Sequence, residues 1–342
     1  MLHPPAGAGA HRSAHQLRLR GKNVDYPKSV PSVGLVGGKF VDEDPLAGTP
    51  GSLIPSQWGN GVTDELLNVI TAAGLVPDEL LNTQLLTALR SISRGIIGAS
   101  SNVAMTIAGT ASASGTMTAD QIIVGTALNG LQYSLSSFNK TVNLASGGAG
   151  GMDVGAAPVS GYVALYAIYN PTTKVSALLA VNASSVKAPT VYAGANMPAG
   201  YTASALVGVW PTNASGQFVV GKISDRSFQA LTGLGISVVS RATNQITALA
   251  VNLAAAVPIN AKTCSGVLNG SSSVATTIAT AVWSDIASGG AGDGQQITVG
   301  GALQIIGPFR DLVLSTPQQM YYTVQALAGT PSFIINITKY TF

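Results

Sequence analysis

Histidine is missing from this chain after its first fifteen residues: His3, His11 and His15 are the only three. Ser-His-Asp or Cys-His catalysis and His-ligated metal sites are therefore excluded from everything downstream. A single cysteine, Cys264, leaves no intrachain disulfide and no thiolate cage for a metal. Glutamate occurs three times, at Glu43, Glu65 and Glu79, so past residue 100 the side-chain carboxylates are Asp120, Asp153, Asp225, Asp285, Asp293 and Asp311 alone. Charged residues make up 9% of the chain, against roughly 25% in an ordinary soluble domain. Long apolar runs are lacking too. The longest, Ile246 to Ile259, is broken by Thr247, Asn252 and Pro258 and falls short of the roughly 20 residues that span a bilayer as a helix. The mean hydropathy of +0.35 comes instead from Ala and Val mixed with Ser, Thr and 40 Gly, a β-rich and turn-rich composition. So few charges on so apolar a chain imply that copies of itself cover much of the surface.

What charge there is gathers at the start, where Arg12, Arg18, Arg20, Lys22 and Lys28 face Asp25 alone. Such an arm could meet nucleic acid or an anionic membrane. It carries no aromatic pattern or fold for nucleic acid, and no apolar core of the kind a secretory signal needs. Residues 1–24 read as a flexible, solvated basic arm.

The one strongly helical stretch runs from Thr49 to Leu89. A first helix is expected from Pro55 or Ser56, with Val62, Leu66, Val69 and Ala73 in one stripe and Gly74 placed for a left-handed cap. A second is expected after Asn82 as N-cap, with Leu85, Leu86, Leu89 and Ile92 in its stripe and Arg90 and Arg94 toward its C-terminal end. Two helices this short are too little to fold alone and need a partner. Residues 25–98 thus form an extended Pro/Gly-rich arm followed by a helical hairpin. Trp58 is the packing residue of that hairpin.

Everything after about residue 98 reads as strand. Residues 99–157 are a low-charge β shaft or linker. Residues 158–232 hold two expected hairpins, Tyr162–Tyr169 with Lys174–Val181 and Ala203–Trp210 with Gln217–Ile223, each bracketing turn residues. Residues 233–342 show short strands near Ile236–Ser240, Ala248–Leu253, Val274–Ile278, Gln296–Val299, Phe309–Leu314, Tyr321–Ala326 and Phe333–Thr338, a spacing suited to a β-sandwich tip.

Three stretches in the N-terminal half carry a resemblance. They are Asp25-Tyr-Pro-Lys-Ser-Val-Pro-Ser-Val-Gly-Leu-Val-Gly-Gly-Lys-Phe-Val-Asp-Glu-Asp-Pro, Thr49-Pro-Gly-Ser-Leu-Ile-Pro-Ser-Gln-Trp-Gly-Asn-Gly-Val-Thr, and Ala73-Gly-Leu-Val-Pro-Asp with Asn82-Thr-Gln-Leu-Leu. Together they closely resemble the N-terminal region of tail-fibre proteins of tailed bacteriophages and prophages. Val159-Ser-Gly-Tyr-Val-Ala-Leu-Tyr-Ala-Ile-Tyr-Asn-Pro-Thr-Thr, Asn196-Met-Pro-Ala-Gly-Tyr-Thr-Ala and Thr212-Asn-Ala-Ser-Gly-Gln-Phe resemble a β module of the same proteins. The resemblance covers roughly half the chain. Residues 1–24 lie upstream of it, as an extension or an additional anchor. It implies a mainly β, homotrimeric fibre with a short N-terminal helical hairpin and β-sandwich-like modules behind it. The N-terminus would be held by a phage tail, baseplate or adaptor protein in the virion. The other end would meet a host glycan, such as lipopolysaccharide, or another outer-membrane receptor. No cofactor and no nucleic acid enter this reading.

On that reading the attachment residues are Trp58, Val62, Leu66, Val69, Leu85 and Leu89, and the receptor candidates are Trp283, Asp285, Asp293 and Tyr321. Trp283 beside the 288–294 loop could stack on a sugar, or simply pack in the core. Tyr321 and Tyr322 are neighbours in a strand and point to opposite faces. Some fibres cleave glycans, which needs a carboxylate pair roughly 5–9 Å apart. Asp285 and Asp293 are the best pair on offer, and two solvated loop aspartates are the simpler account of them. The expectation is a non-enzymatic adhesin. The alternatives are a connector or capsid-decorating fibre without receptor contact, and a depolymerase.

Overall fold

A computed structural model describes residues 25–342 apart from Ser29, Thr49, Ser93, Arg94 and 287–293, together with the side chains of all but Pro31 and Ile92 among them. The basic arm, Asp293 and most of the 288–294 loop lie outside the described residues. The chain divides into two compact units, 1–93 and 94–342.

In the first unit the arm turns back at Pro31–Val33, where Gly34 takes φ +73°. Ser52 then ties the arm's strands of chain together: its hydroxyl donates to the Gly34 carbonyl and accepts from Val41 N–H. Helix α1 spans Ser56–Ala72 and α2 spans Gln84–Ile92. Gly74 ends α1 at φ +76°. Its N–H bonds the Thr71 carbonyl and that of Leu75 bonds Ile70, the paired bonds of a Schellman cap. The second helix starts two residues beyond Asn82. Gln84 clamps the linker, donating to the Val76 carbonyl and accepting from Asp78 N–H.

The two helices are in contact, and Ile70 and Ala88 are their buried residues among those described. Ala88 is small enough to let the backbones approach, while Leu86 and Leu89 of α2 stay exposed. Val62, Val69, Ala73 and Leu85 are half-buried, whereas Leu66, Leu86 and Leu89 are exposed. The apolar stripes read from the sequence are thus divided between a contact and an open face.

The second unit is antiparallel β. Its strands are β1 (Ser100–Ser101), β2 (Ala104–Ile107), β3 (Ser114–Gly125), β4 (Gln132–Asn143), β5 (Tyr162–Asn170), β6 (Val175–Asn182), β7 (Ala203–Pro211), β8 (Gly221–Ser224), β9 (Ser227–Ala230), β10 (Ile236–Arg241), β11 (Gln245–Asn252), β12 (Thr263–Trp283), β13 (Gln295–Val313), β14 (Gln319–Ala326) and β15 (Pro331–Thr341). Hydrogen-bonded neighbours run β11-β14-β12-β15-β9-β8-β2-β3-β7-β5-β6, and β1 and β4 flank β3, β10 flanks β15 and β13 flanks β12. That path crosses positions 157 and 232 without interruption.

Toward its β6 end, β7 is buried along its whole length and β5 everywhere but Tyr169. Their near-continuous apolar runs, Tyr-Val-Ala-Leu-Tyr-Ala-Ile-Tyr and Ala-Ser-Ala-Leu-Val-Gly-Val-Trp, suit strands covered on both faces. The segment after β6 packs over them: Tyr166 donates to the Pro189 carbonyl, and Tyr192 N–H donates to Ser204 Oγ. From the C-terminal end, Tyr340 donates 2.7 Å to the Val209 carbonyl. Its ring stacks on Phe228 at 5.1 Å, and Phe228 in turn meets Trp210.

The β5–β6 hairpin forms where the sequence places it, with the Asn170 side chain accepting from Thr172 and Thr173 N–H to close the turn. The second expected hairpin does not. Strand β7 pairs with β5 and touches β3, while β8 pairs with β2 and β9, and only the bridge Thr212–Phe218 spans the turn. Trp210 accounts for the departure: Nε1 donates to the Val219 carbonyl and the ring takes Phe218 edge-on, which holds the returning chain against the strand's end.

In the C-terminal part the expected short strands fuse. Val274–Ile278 lies inside the 21-residue β12, and Gln296–Val299 and Phe309–Leu314 are the two ends of the 19-residue β13. Strand β12 changes partners rather than stopping, while β13 follows β12 along its length. Strand β12 pairs with β15 over residues 263–272 and with β14 over 278–283, and its register against β13 shifts between Ser271 and Ile278.

Candidate functional site

The end of β12 and the start of β14 place two aromatic residues side by side. Trp283 lies directly opposite Tyr321, and Tyr321 opposite Ala250 of β11. Directly opposed residues share a face of the sheet with Cβ atoms roughly 5 Å apart. That face is the outer one: Tyr321 and Trp283 are half-exposed, while Met320, Tyr322 and Val324 point the other way into the core. The alternation at Tyr321-Tyr322 therefore resolves as the sequence pattern requires, with the second hydroxyl accepting from Arg241 Nη1 at 3.2 Å.

Among the described residues, the strand rows next to the pair carry no charge. The next rows hold Gln296, Ala281 and Thr323, then Thr298, Ala279 and Gln325. On the other side stand Gln319 of β14 and Asn252 of β11, opposite each other. Gln319 Nε2 donates 2.9 Å to the Tyr321 hydroxyl, so that oxygen accepts and its proton is left to donate outward. Gln319, Gln318 and Asn252 were not singled out by sequence reasoning. The available signal was the i, i+2 spacing of Gln319 and Tyr321, which puts an amide and a phenol on one face.

Asp285 is half-buried two residues beyond β12. Its partner in the expected carboxylate pair, Asp293, lies outside the described residues. Among the described residues no three His, Cys, Asp or Glu side chains cluster for a metal. No helix of the described residues is long and apolar enough to cross a membrane.

The head presents different chemistry. Trp58 donates from Nε1 to the Asp25 carbonyl at 2.7 Å and meets the Phe40 ring edge-on at 5.1 Å, with Tyr26 against the other side of Phe40. It holds the arm onto α1. Val62, Val69 and Leu85 are half-buried. Leu66 and Leu89 remain outward, joined by Leu86.

No protein-family model matches the chain, and no curated protein matches it at a significant level.

Proposed function

We propose that the chain is a tail fibre of a tailed bacteriophage or prophage, a homotrimer held to the tail through its N-terminal head and adsorbing to a bacterial surface glycan through its β unit. The observation that carries the adhesin part is the outer face bearing the Trp283–Tyr321 pair, whose neighbouring strand rows hold amides and hydroxyls. Aromatic rings flanked by amides and hydroxyls suit a polyhydroxylated partner, which offers apolar C–H faces and many hydrogen-bonding groups. Three copies would add avidity, so each site can be weak. The head supports the attachment part, because Leu66, Leu86 and Leu89 leave an apolar face that a tail, baseplate or adaptor protein would cover. In this reading β12, in passing from β15 to β14, wraps a sandwich-like C-terminal module with β13 along it, and the protein works in the virion without catalysing a reaction.

Surface plasmon resonance of the full chain on immobilised bacterial lipopolysaccharides tests the adhesin reading. Binding is expected, and its absence from every host-range strain's polymer would refute it in favour of a connector. Sedimentation should give three times the 34.5 kDa chain mass, and a monomer would refute the trimer. New reducing ends on incubation with host polysaccharide would instead establish a depolymerase.

A further inference from the structure

Beside Tyr321 lies a cleft of about 320 Å³ whose walls come from Ala250, Val251 and Asn252 at the end of β11 and from Pro317, Gln318 and Gln319 at the start of β14. None of these six residues is charged. We propose that this cleft, continued by the Tyr321–Trp283 pair, is a saccharide subsite selective for an uncharged pyranose. The proposal rests on the glycan-adsorption reading above and specifies where the sugar sits and of what class it is.

Three features argue for a binding site rather than a gap between strand ends. First, the cleft is rigid. Gln318 holds φ +56°, a left-handed conformation that costs a non-glycine residue energy. It is held there from both sides: its carbonyl accepts from Leu253 N–H at 2.8 Å and its Nε2 donates to the Val257 carbonyl at 2.8 Å. A strained residue tied to a neighbouring loop gives walls that need no ordering when a ligand arrives. Second, the free hydrogen-bonding groups are complementary to a polyol. Gln319 spends its Nε2 on Tyr321, which leaves Gln319 Oε1 as an acceptor and the phenolic proton as a donor. Gln318 likewise keeps Oε1. Asn252 uses Oδ1 on Ala254 N–H and keeps its two amide protons. Alternating donors and acceptors on a small arc can serve adjacent hydroxyls, each of which both gives and takes a hydrogen bond. Third, Ala250, Asn252 and Gln319 of the cleft stand on the same face as Tyr321 and Trp283, so a ring laid against Tyr321 would reach those two amides. A uronate or an ammonium sugar would bring a charge to walls that hold no opposite charge, a mismatch that disfavours it.

Saturation-transfer NMR on the full chain tests this with methyl glucopyranoside, methyl galactopyranoside, glucuronate and glucosamine as probes. Transfer to at least one neutral glycoside, and little to either charged sugar, is expected. Gln319→Leu and Tyr321→Phe should each weaken binding by about fivefold, the worth of one hydrogen bond. Gln319→Glu keeps the side chain's size and should shift preference toward glucosamine. Unchanged melting of each variant shows that it folds. Sugar binding that is indifferent to all three substitutions would overturn the cleft while leaving glycan adsorption standing. Absence of binding to any sugar or lipopolysaccharide by the parent chain would remove both. Equal binding of neutral and charged sugars would overturn the selectivity.

Discussion

Tyr340 offers a direct test of how the β unit is held together. It belongs to the last strand, yet its hydroxyl donates to the Val209 carbonyl, 131 residues earlier, with the ring fully covered. Tyr340→Phe keeps the ring and removes the hydrogen bond, at a cost of about 1–2 kcal/mol because the site is dry. In a folding unit of this size each kcal/mol shifts the midpoint by about 2–4 °C, so a fall of about 2–8 °C is expected. Tyr340→Ala also empties the space beside Phe228 and should cost about 3–5 kcal/mol. The reasoning makes a stronger claim than a lowered midpoint. The hydrogen-bonded path runs from β11 to β6 through β15 and β9, so residues 94–342 should unfold together. Thermal unfolding followed by circular dichroism and, in a Trp58→Phe/Trp283→Phe background, by Trp210 fluorescence, at one chain concentration, reads both. The two probes should fall together and shift together. A Trp210 transition left unmoved by Tyr340→Phe, or two separate transitions, would refute the idea that the C-terminal strand locks the middle of the chain.

Other outcomes follow from single residues. Cys264 is fully covered and burial pushes its thiol up to about 12, so it should resist aromatic disulfide reagents at pH 8 in the folded protein and react once the chain is denatured; rapid reaction under native conditions would contradict its burial. Burial also raises the phenols of Tyr162, Tyr166 and Tyr340 above their ordinary value of 10.0. The folded state then keeps protons that the unfolded chain loses, so their contribution is intact below the unfolded value and stability declines as pH rises past it. Ultraviolet titration should show these phenolates appearing only with unfolding, and free ionisation in a folded protein would be the contrary result. Gly74→Ala forces a Cβ into the left-handed region at φ +76° and should cost about 1 kcal/mol, seen as faster hydrogen exchange in α1 with the β unit unaffected. Trp58→Phe removes the bond to the Asp25 carbonyl, and limited proteolysis should then cut more readily between residues 25 and 48.

Much of this protein follows from its composition and periodicity. The loss of histidine after His15 bounded the chemistry of the β unit before any fold was known. The helix stops where Gly74 permits a left-handed turn, and Asn170 closes its hairpin through contacts only two and three residues away. Local chemistry of that kind is written in adjacent residues. Pairing between distant strands is not. Nothing near Gly221 says that β8 will join β2 and β9 instead of β7, because that choice depends on where Trp210 and Phe228 find cover. The small residues and bends inside β12 look like strand ends in sequence, and only ladders to β15 and then β14 keep that strand going, with β13 extended alongside it. Leucines in α2 likewise look alike until Ala88 takes the contact. At the outer face, Trp283 and Tyr321 were each visible as aromatic candidates. That they stand opposite one another, next to Gln319 and Asn252, was decided by the register of β11, β14 and β12, which is fixed by burying Met320, Tyr322 and Val324 on the other side.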